Sequence, residues 1–165
     1  MLSPALSFFL FSIYGFVGGA EEPYAALRTA ALLEAVYEEL EAQAGGLAAI
    51  TTGLNADVPD IDFLSDTLLG TQKWMDVGAR ADLWGQPREQ GTCLTANSKK
   101  KKRRDYIFVH PAIVPHISAW RVVDDGTFAV HARVVMTLTV DTQPFKAIKA
   151  VSLPANCGNS SRRLL

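Results

Sequence analysis

The sequence is poor in cysteine and carries almost no net charge, and each shortage excludes some classes of protein. Its two cysteines, Cys93 and Cys157, lie far apart and do not have the spacing of a zinc site. We therefore predict a reducing compartment and no disulfide framework. The formal net charge of −1 excludes a global attraction to nucleic acid or to an anionic membrane. Binding of a polyanion would have to depend on a local basic patch.

A long apolar run of the kind that spans a membrane is also missing. Residues 1–20 are strongly apolar, but their apolar core, Leu6–Phe11, is short and is interrupted and followed by serines. Gly18-Gly19-Ala20 would suit the cleavage site of a signal peptide, yet the stretch has no positively charged start. On the residues alone, a secretory signal and a buried strand over Ser7–Tyr14 are both open.

The clearest regular element is a helix over Pro23–Ala44. Its apolar side chains recur at three- and four-residue steps and form one stripe: Leu27, Ala30, Leu33, Val36, Tyr37 and Leu40. Gly45-Gly46 can end this helix in a left-handed conformation, and Leu47–Thr51 follows as a short buried strand. The order strand, helix, strand indicates a crossover unit with the helix packed on a sheet.

The middle of the chain contains short elements and one long connection. Asp60 can cap a short helix over Ile61–Leu69, and Trp74–Val77 can form a small strand. Residues 78–104 show little periodicity. Long ordered connections are often functional, so this segment is a candidate for part of a site.

The last third of the chain is rich in aromatic and β-branched residues, which predicts a sheet. We expect strands over Asp105–Val109, Trp120–Val123 and Phe128–Val140, with a hairpin turn at Asp124-Asp125-Gly126. Alternation along the last strand places its apolar side chains on one face and His131 on the other.

Together these elements predict one α/β domain over residues 1–140. Its fold class would be a partial layered α/β sandwich, with a helix packed on a mixed, mainly antiparallel sheet. From Asp141 onward the pattern decays, which predicts a disordered tail over 141–165.

Short motifs occur along the chain in an order that is typical of one family. They are Tyr14-Gly15, Thr52-Gly53-Leu54-Asn55-Ala56-Asp57, Arg104-Asp105-Tyr106-Ile107-Phe108 and Phe128-Ala129-Val130-His131. This series resembles the endonuclease/exonuclease/phosphatase family, with its Tyr-Gly turn, Gly-Asp-Leu-Asn-Ala and Arg-x-Asp-Tyr-Ile segments and terminal Ser-Asp-His. The match runs from about Phe9 to Leu138 and covers only the later part of the family's domain. The resemblance therefore implies a C-terminal portion of such a domain.

The resemblance implies hydrolysis of a phosphodiester or phosphomonoester bond by an activated water, assisted by Mg²⁺ or Mn²⁺. Negative charge that develops on the phosphorus oxygens needs a cation and hydrogen-bond donors. Carried over residue by residue, His131 corresponds to the phosphate-facing histidine and Asp105 to the carboxylate that orients it. Asn55 corresponds to the amide that holds the phosphate or the water, and Tyr14 to the hydroxyl donor near it.

Departures from the family pattern remove carboxylates. Gly53 stands where the family has the Asp of its Gly-Asp-Leu-Asn segment, although a one-residue deletion describes the change equally well. Val130 stands where an Asp precedes the terminal His, and the acidic metal ligand of the family's first half has no counterpart. A hard cation needs several oxygen ligands, so we expect impaired binding of Mg²⁺ or Mn²⁺. The two hypotheses are an impaired, truncated hydrolase and a non-catalytic pseudoenzyme or fragment.

Each candidate also has a purely structural interpretation. A lone His131 in a strand is often a hydrogen-bonded structural residue, and Asp105 next to Arg104 can form a surface ion pair. Asn55 in a strand-end loop is typical of turns. Tyr14 can pack in the core with its hydroxyl satisfied.

A run of six basic residues, Lys99–Arg104, precedes Asp105 directly. Its candidates for contact with the phosphates of a nucleic acid or another phosphoester are Lys101, Lys102, Arg103 and Arg104. A nuclear-import signal and a solvated loop are the other interpretations. We expect a cytoplasmic or nuclear location, because secretion would require cleavage of residues 1–20.

The missing part of the family's domain leads to an expectation about the surface. Both faces of the sheet in a layered sandwich need a cover, so loss of one half leaves apolar sheet surface exposed. We expect association with another chain through that surface, and no membrane span.

Overall fold

The computed structural model describes residues 7–18, 22–43, 47–94 and 98–139. The tail predicted over 141–165 lies outside these residues, and so does Cys157.

Four strands form a mixed sheet in the order β1-β2-β4-β3, namely β1 Phe8–Tyr14, β2 Leu47–Gly53, β3 Met75–Asp76 and β4 Asp105–Val109. β1 and β2 are parallel, whereas β4 runs antiparallel to both β2 and β3. Of the two alternatives for the apolar stretch that ends at Tyr14, the structure therefore has the strand. β2 extends two residues beyond its predicted end at Thr51, because Gly53 still pairs with Asp105.

A single helix, α1 (Pro23–Ala42), connects the two parallel strands, as the crossover prediction requires. Leu33 and Leu40 are buried in the cluster that joins this helix to the sheet. Leu27 is 67% exposed, however, so the predicted stripe does not hold in the first turns. Thr29 takes the buried position there, and its hydroxyl donates to the carbonyl of Ala25 and accepts from the N–H of Phe16.

A second sheet covers the other face of the central sheet. Its strands, β5 (Ile117–Val123) and β6 (Arg133–Leu138), are antiparallel. Alternate side chains of β2 and β4 point to opposite faces. Those of Ala48, Ile50 and Phe108 pack with α1, whereas those of Ala49, Ile107 and Val109 pack with Ile117 and Trp120. The fold is therefore α/β, with a helix and a small sheet on opposite faces of a mixed sheet, in agreement with a partial layered sandwich.

The connections are mostly short helical turns. They are the 3₁₀ segments Val58–Asp60, Gly78–Trp84 and Pro111–His116 and the π-helical segment Phe63–Thr71. Asp60 does not cap the longer segment as predicted, because its carboxylate accepts from the N–H of Asp57 within the preceding turn. Leu64 and Leu68 are buried, as the short-helix prediction expected.

The prediction of one strand over Phe128–Val140 is wrong at its beginning, since β6 starts only at Arg133. Phe128 and Val130, which precede this start, are 54% and 49% exposed. The reason is a change of partner: His131 forms an isolated bridge with Cys93, outside the register of β5. A long loop, residues 124–132, therefore connects β5 to β6, in place of the predicted tight hairpin turn at Asp124–Gly126.

β1 forms one edge of the central sheet. On the face that the small sheet only partly covers, Leu10 is 57% and Tyr14 62% exposed. The expected association with another chain through exposed sheet surface stays a prediction. Among the described helices, none has the length and apolar character needed to cross a bilayer.

Candidate active site

Three neighbouring strands bring Tyr14, Gly53 and Asp105 into one row at the end of the central sheet. Tyr14 is the register partner of Gly53 in β2, and Gly53 is the partner of Asp105 in β4. A Cβ atom on Gly53 would lie 3.1 Å from Cε2 of Tyr14 and 3.5 Å from Oδ1 of Asp105. The ring and the carboxylate therefore lie on either side of Gly53.

His131 and Asp105 form a direct pair across this end of the sheet. Nδ1 of His131 lies 2.9 Å from Oδ2 of Asp105, and the side chains are 31% and 27% exposed. An ionised carboxylate can only accept a hydrogen bond, so Nδ1 is the donor in this pair, and in the neutral ring Nε2 is then the acceptor. Asp105 is itself fixed at the start of β4, because its backbone N–H donates to Oγ1 of Thr92 at 3.0 Å. The structure thus brings together the two residues that the resemblance assigns to the imidazole and its carboxylate.

The other nitrogen of His131 faces a thiol. Sγ of Cys93 lies 3.6 Å from Nε2, so Cys93, His131 and Asp105 form a continuous chain of side chains. Partial burial raises the pKa of the Cys93 thiol, and the Asp105 carboxylate adds to this, whereas Arg104 and Lys101 oppose it. Sequence reasoning missed Cys93, because it considered cysteines only for disulfides and metal spacing. The one signal available was its place in the long connection 78–104.

Asn55 holds the turns that follow β1 and β2. It adopts a left-handed conformation with φ of 55°, and its Nδ2 donates to the carbonyl of Gly15 at 2.9 Å. A side chain at Gly15 has no room, since a Cβ there would lie 2.4 Å from the carbonyl oxygen of Leu54. One N–H of the Asn55 side-chain amide is therefore used within the fold. Binding of a phosphate by the second N–H stays a prediction.

Tyr14 lies at the surface. Its side chain is among the exposed large apolar groups, at 62%, so packing in the core does not describe it. The exposed ring stands beside Gly53, within the row that ends at Asp105. A hydroxyl carried by such a ring is accessible to a ligand, which is compatible with the predicted donor role.

The basic run divides into buried and exposed members. Arg103 is 8% exposed and its guanidinium contacts the carboxylates of Asp76 and Glu89. Arg104 is 7% exposed and donates to Asp57 at 2.5 Å. Both arginines are therefore engaged inside the protein and are removed from the predicted phosphate contacts. The surface ion pair considered for Arg104 and Asp105 is also wrong, because each has another partner.

The two lysines next to them keep more freedom. Lys101 lies 2.5 Å from the carboxylate of Asp124. Lys102 is exposed and pairs with Cys93 through reciprocal backbone hydrogen bonds of 2.8 Å. Lys102 and His131 both form bridges with Cys93, and the ring of His131 contacts the thiol.

The Mg²⁺ or Mn²⁺ that the family resemblance implies finds no ligand set in the described part of the chain. Over these residues, no group of three or more His, Cys, Asp or Glu side chains is arranged to hold a metal ion. Gly53 contributes no carboxylate beside Asp105, and the exposed Val130 contributes none beside His131. Since a hard cation needs several oxygen ligands, the described residues do not fit it.

A separate cleft of about 430 Å³ lies near the buried arginine pair, and its lining includes none of the four candidate catalytic residues His131, Asp105, Asn55 and Tyr14. It is lined by Asp57, Val58, Pro59, Leu69, Asp76, Ala79, Glu89, Arg103 and Tyr106. Burial raises the pKa of Tyr106 in its wall to about 12. Arg103 already contacts two carboxylates of this cleft, so the cleft offers no free cation to an anionic ligand.

Comparison with known proteins adds little to this geometry. No protein-family model matches the chain, and no curated protein is significantly similar to it in sequence. Among solved structures, it is similar to a mannosyl-6-phosphatase of Bacteroides thetaiotaomicron VPI-5482, with a TM-score of 0.47 and 18% identity. That match covers 78% of this chain and 51% of the other, so the chain spans about half the length of that phosphatase. A likeness of this size says nothing about function.

Proposed function

We propose that the chain is related to the endonuclease/exonuclease/phosphatase family and carries a phosphoester-hydrolase site centred on His131. The observation that supports the proposal most is the 2.9 Å pair between Nδ1 of His131 and Oδ2 of Asp105. It joins residues from two motifs that lie 26 positions apart. A family-like order of motifs would require such a meeting in space, whereas unrelated residues would have no reason to meet.

In the proposed reaction, His131 performs the proton transfers at the phosphate. Asp105 holds Nδ1–H and stabilises the imidazolium that forms when Nε2 accepts a proton from the attacking water. The exposed hydroxyl of Tyr14 is the proposed donor to a phosphate oxygen. Mg²⁺ or Mn²⁺ remains the proposed cofactor, which would neutralise charge on the phosphate. No step is assigned to the metal, since the described residues do not supply its ligands.

The test is hydrolysis of bis(p-nitrophenyl) phosphate, p-nitrophenyl phosphate and plasmid DNA by the full chain, with added Mg²⁺ or Mn²⁺ and with a chelator. General acid–base catalysis contributes roughly 10²–10⁴-fold. We therefore expect His131→Ala to reduce the rate by about 100-fold or more, and Asp105→Asn to reduce it through the wrong tautomer. His116→Ala, which removes an imidazole elsewhere, is the matched control. Hydrolysis that survives His131→Ala would contradict the proposal.

A non-catalytic role is the second candidate, and Gly53 favours it. Its position between the Tyr14 ring and the Asp105 carboxylate lacks the side chain that the family uses there. A folded sample that hydrolyses none of the substrates, but whose His131 NMR signals shift with inorganic phosphate, would support this candidate. If neither hydrolysis nor a shift occurs, the hydrolase and the phosphate-binding form of the non-catalytic candidate both fail.

Polyanion binding is the remaining form of the non-catalytic candidate. Because Arg103 and Arg104 are buried, only the lysines of the basic run are accessible, and we propose weak binding to single-stranded DNA. Such binding should weaken steeply with salt, and Lys101→Ala with Lys102→Ala should reduce that slope by about one to two phosphate contacts. Fluorescence anisotropy at several salt concentrations measures this. An affinity that does not change with ionic strength would contradict electrostatic binding.

A further inference from the structure

Cys93, His131 and Asp105 combine a nucleophile, a base and a group that orients the base. Sγ of Cys93 lies 3.6 Å from Nε2 of His131, and Nδ1 of the same ring lies 2.9 Å from Asp105. This connectivity is the structural signature of an activated thiol. Cys93 is partly exposed, so a small reagent can reach it.

The backbone around Cys93 restricts the chemistry that this thiol can support. Acyl transfer needs N–H groups aimed at a developing oxyanion. Here the N–H groups of Cys93 and Leu94 donate to the carbonyls of Lys102 and Val130, and that of Ala132 donates to Thr92. These donors are committed to bridges between segments. A reaction that forms no oxyanion, such as exchange with a disulfide, does not need them.

Charge next to the thiol selects among disulfides. Lys102 is exposed and its backbone forms a bridge with Cys93. Lys99 and Lys100 are exposed in the same run. Of the charged groups that act on the thiol, Arg104 and Lys101 favour its anion and Asp105 disfavours it. An anionic reagent would be attracted to these lysines at low ionic strength.

We propose that Cys93 is a modification site that undergoes thiol–disulfide exchange with small anionic disulfides of the glutathione disulfide class. In this step, Nε2 of His131 accepts the thiol proton while Sγ attacks one sulfur of the disulfide. The new Sγ–S bond forms as the S–S bond of the reagent breaks. The departing thiolate then takes the proton from the imidazolium. Cys93 is oxidised to a mixed disulfide, and one half of the reagent is reduced to a free thiol.

His131 matters because the resting thiol is protonated. Burial and the Asp105 carboxylate raise the pKa of the Cys93 thiol, so few thiolates exist near neutral pH. A base in contact with the thiol accepts its proton during the attack. A thiol with a low pKa would already be ionised and would not need such a base. At a pH above the thiol pKa the base is no longer required. Dependence on His131 should therefore disappear at high pH, which a merely structural role would not produce.

The experiment uses the full reduced chain carrying Cys157→Ser, so that Cys93 is the single thiol. Rates of exchange with glutathione disulfide are followed by intact mass and peptide mapping at low salt. At neutral pH we expect the rate to fall about ten-fold in His131→Gln and to approach that of the parent at high pH. Equal rates for parent and His131→Gln at neutral pH would overturn the proposal.

Charge selectivity gives a second test that does not depend on the folding of a core variant. The parent chain should react faster with glutathione disulfide than with the neutral 2-hydroxyethyl disulfide, after correction for each reagent's rate with free cysteine. Lys102→Glu, a change at an exposed side chain, should lower the ratio of the two corrected rates, in which any change in the reactivity of the thiol itself cancels. A parent rate that is the same for both reagents would overturn the selectivity. Neither readout requires phosphoester hydrolysis, so failure of the proposed function leaves both tests intact.

Discussion

Replacing Arg103 with Met should destabilise the fold, because this arginine is enclosed by the protein. Its guanidinium contacts Asp76 and Glu89 and lies 4.4 Å from the centre of the Tyr106 ring. It also fills the space beside Gly78, where a Cβ atom would lie 2.6 Å from Nη2. Met retains an unbranched stem and removes the charge and its hydrogen bonds. The substitution therefore isolates the ion pair from most of the packing.

The expected loss follows from the exposure of each partner. The side chains of Arg103 and Asp76 are only 7% and 9% exposed. Removing one partner of a buried pair costs roughly 3–5 kcal/mol, because the other charge stays buried without compensation. Glu89 is 61% exposed, so its pairing adds about 0–1 kcal/mol at most. We expect the free energy of unfolding to fall by about 3 kcal/mol at pH 7.

The sign of the pH dependence makes this prediction sharper. Burial raises the pKa of Asp76 above its ordinary value, even with Arg103 opposing the shift. The folded state then binds the proton more tightly than the unfolded state, so Asp76 reduces stability as pH rises through the window between its unfolded and folded pKa values. Without Arg103 the folded pKa rises further and the window extends upward. The deficit of Arg103→Met should therefore be smaller at pH 4 than at pH 7.

Urea denaturation followed by tryptophan fluorescence at pH 4, 5.5 and 7 measures these differences. Arg133→Met is the matched control, because Arg133 and its partner Asp125 are 48% and 40% exposed. That change should stay within about 1 kcal/mol of the parent. A loss in the free energy of unfolding of less than about 1 kcal/mol for Arg103→Met at pH 7, or a loss that does not change with pH, would show that the guanidinium is solvated. Arg103 would then again be a candidate for phosphate contact.

Three further changes test the fold around the site. Gly15→Ala should lower the free energy of unfolding by about 1–3 kcal/mol or more, because its Cβ would lie 2.4 Å from the carbonyl oxygen of Leu54; an unchanged urea midpoint would refute this contact. Leu33→Ala should cost about 2–5 kcal/mol in the same assay, since Leu33 is fully buried between α1 and the sheet, and a loss below 1 kcal/mol would contradict that burial. Tyr106→Phe should cost about 1 kcal/mol and remove the tyrosine ionisation near pH 12 from a pH-jump absorbance titration; persistence of that ionisation would assign it to another tyrosine.

The elements that could be predicted are those with a strong local signal. The strand Asp105–Val109 is correct at both ends, and the crossover from β1 through α1 to β2 is correct in its order. Both predictions depend on apolar runs and periodic stripes, which are visible within a few consecutive residues. The end of the helix is displaced by two residues, because Ala42 is its last member rather than Ala44.

Elements whose partners are distant could not be placed in this way. The alternation over Phe128–Val140 indicates a strand, but it cannot show that His131 pairs with Cys93 and only Arg133 onward pairs with β5. The basic run Lys99–Arg104 has the composition of a solvated loop. Burial of its two arginines depends on carboxylates that lie 27 and 47 positions away in the chain.

The candidate site shows the same division. The His131 and Asp105 pair was accessible only through the order of motifs, since no local pattern connects the two residues. Cys93 belongs to none of those motifs. Cys93 lies 38 positions before His131 in the chain. The two side chains meet because a β-bridge pairs the long connection with the segment that contains His131.

Both proposals use one atom, Nε2 of His131. With its proton on Nδ1, the ring offers a single acceptor, so the Cys93 thiol and a water or phosphate compete for it. A thiol is a weak donor, and its 3.6 Å contact costs little to displace. A group attached covalently to Sγ cannot be displaced by binding alone. The free thiol is therefore compatible with phosphoester chemistry at His131, whereas the mixed disulfide would occupy the space that a phosphate needs.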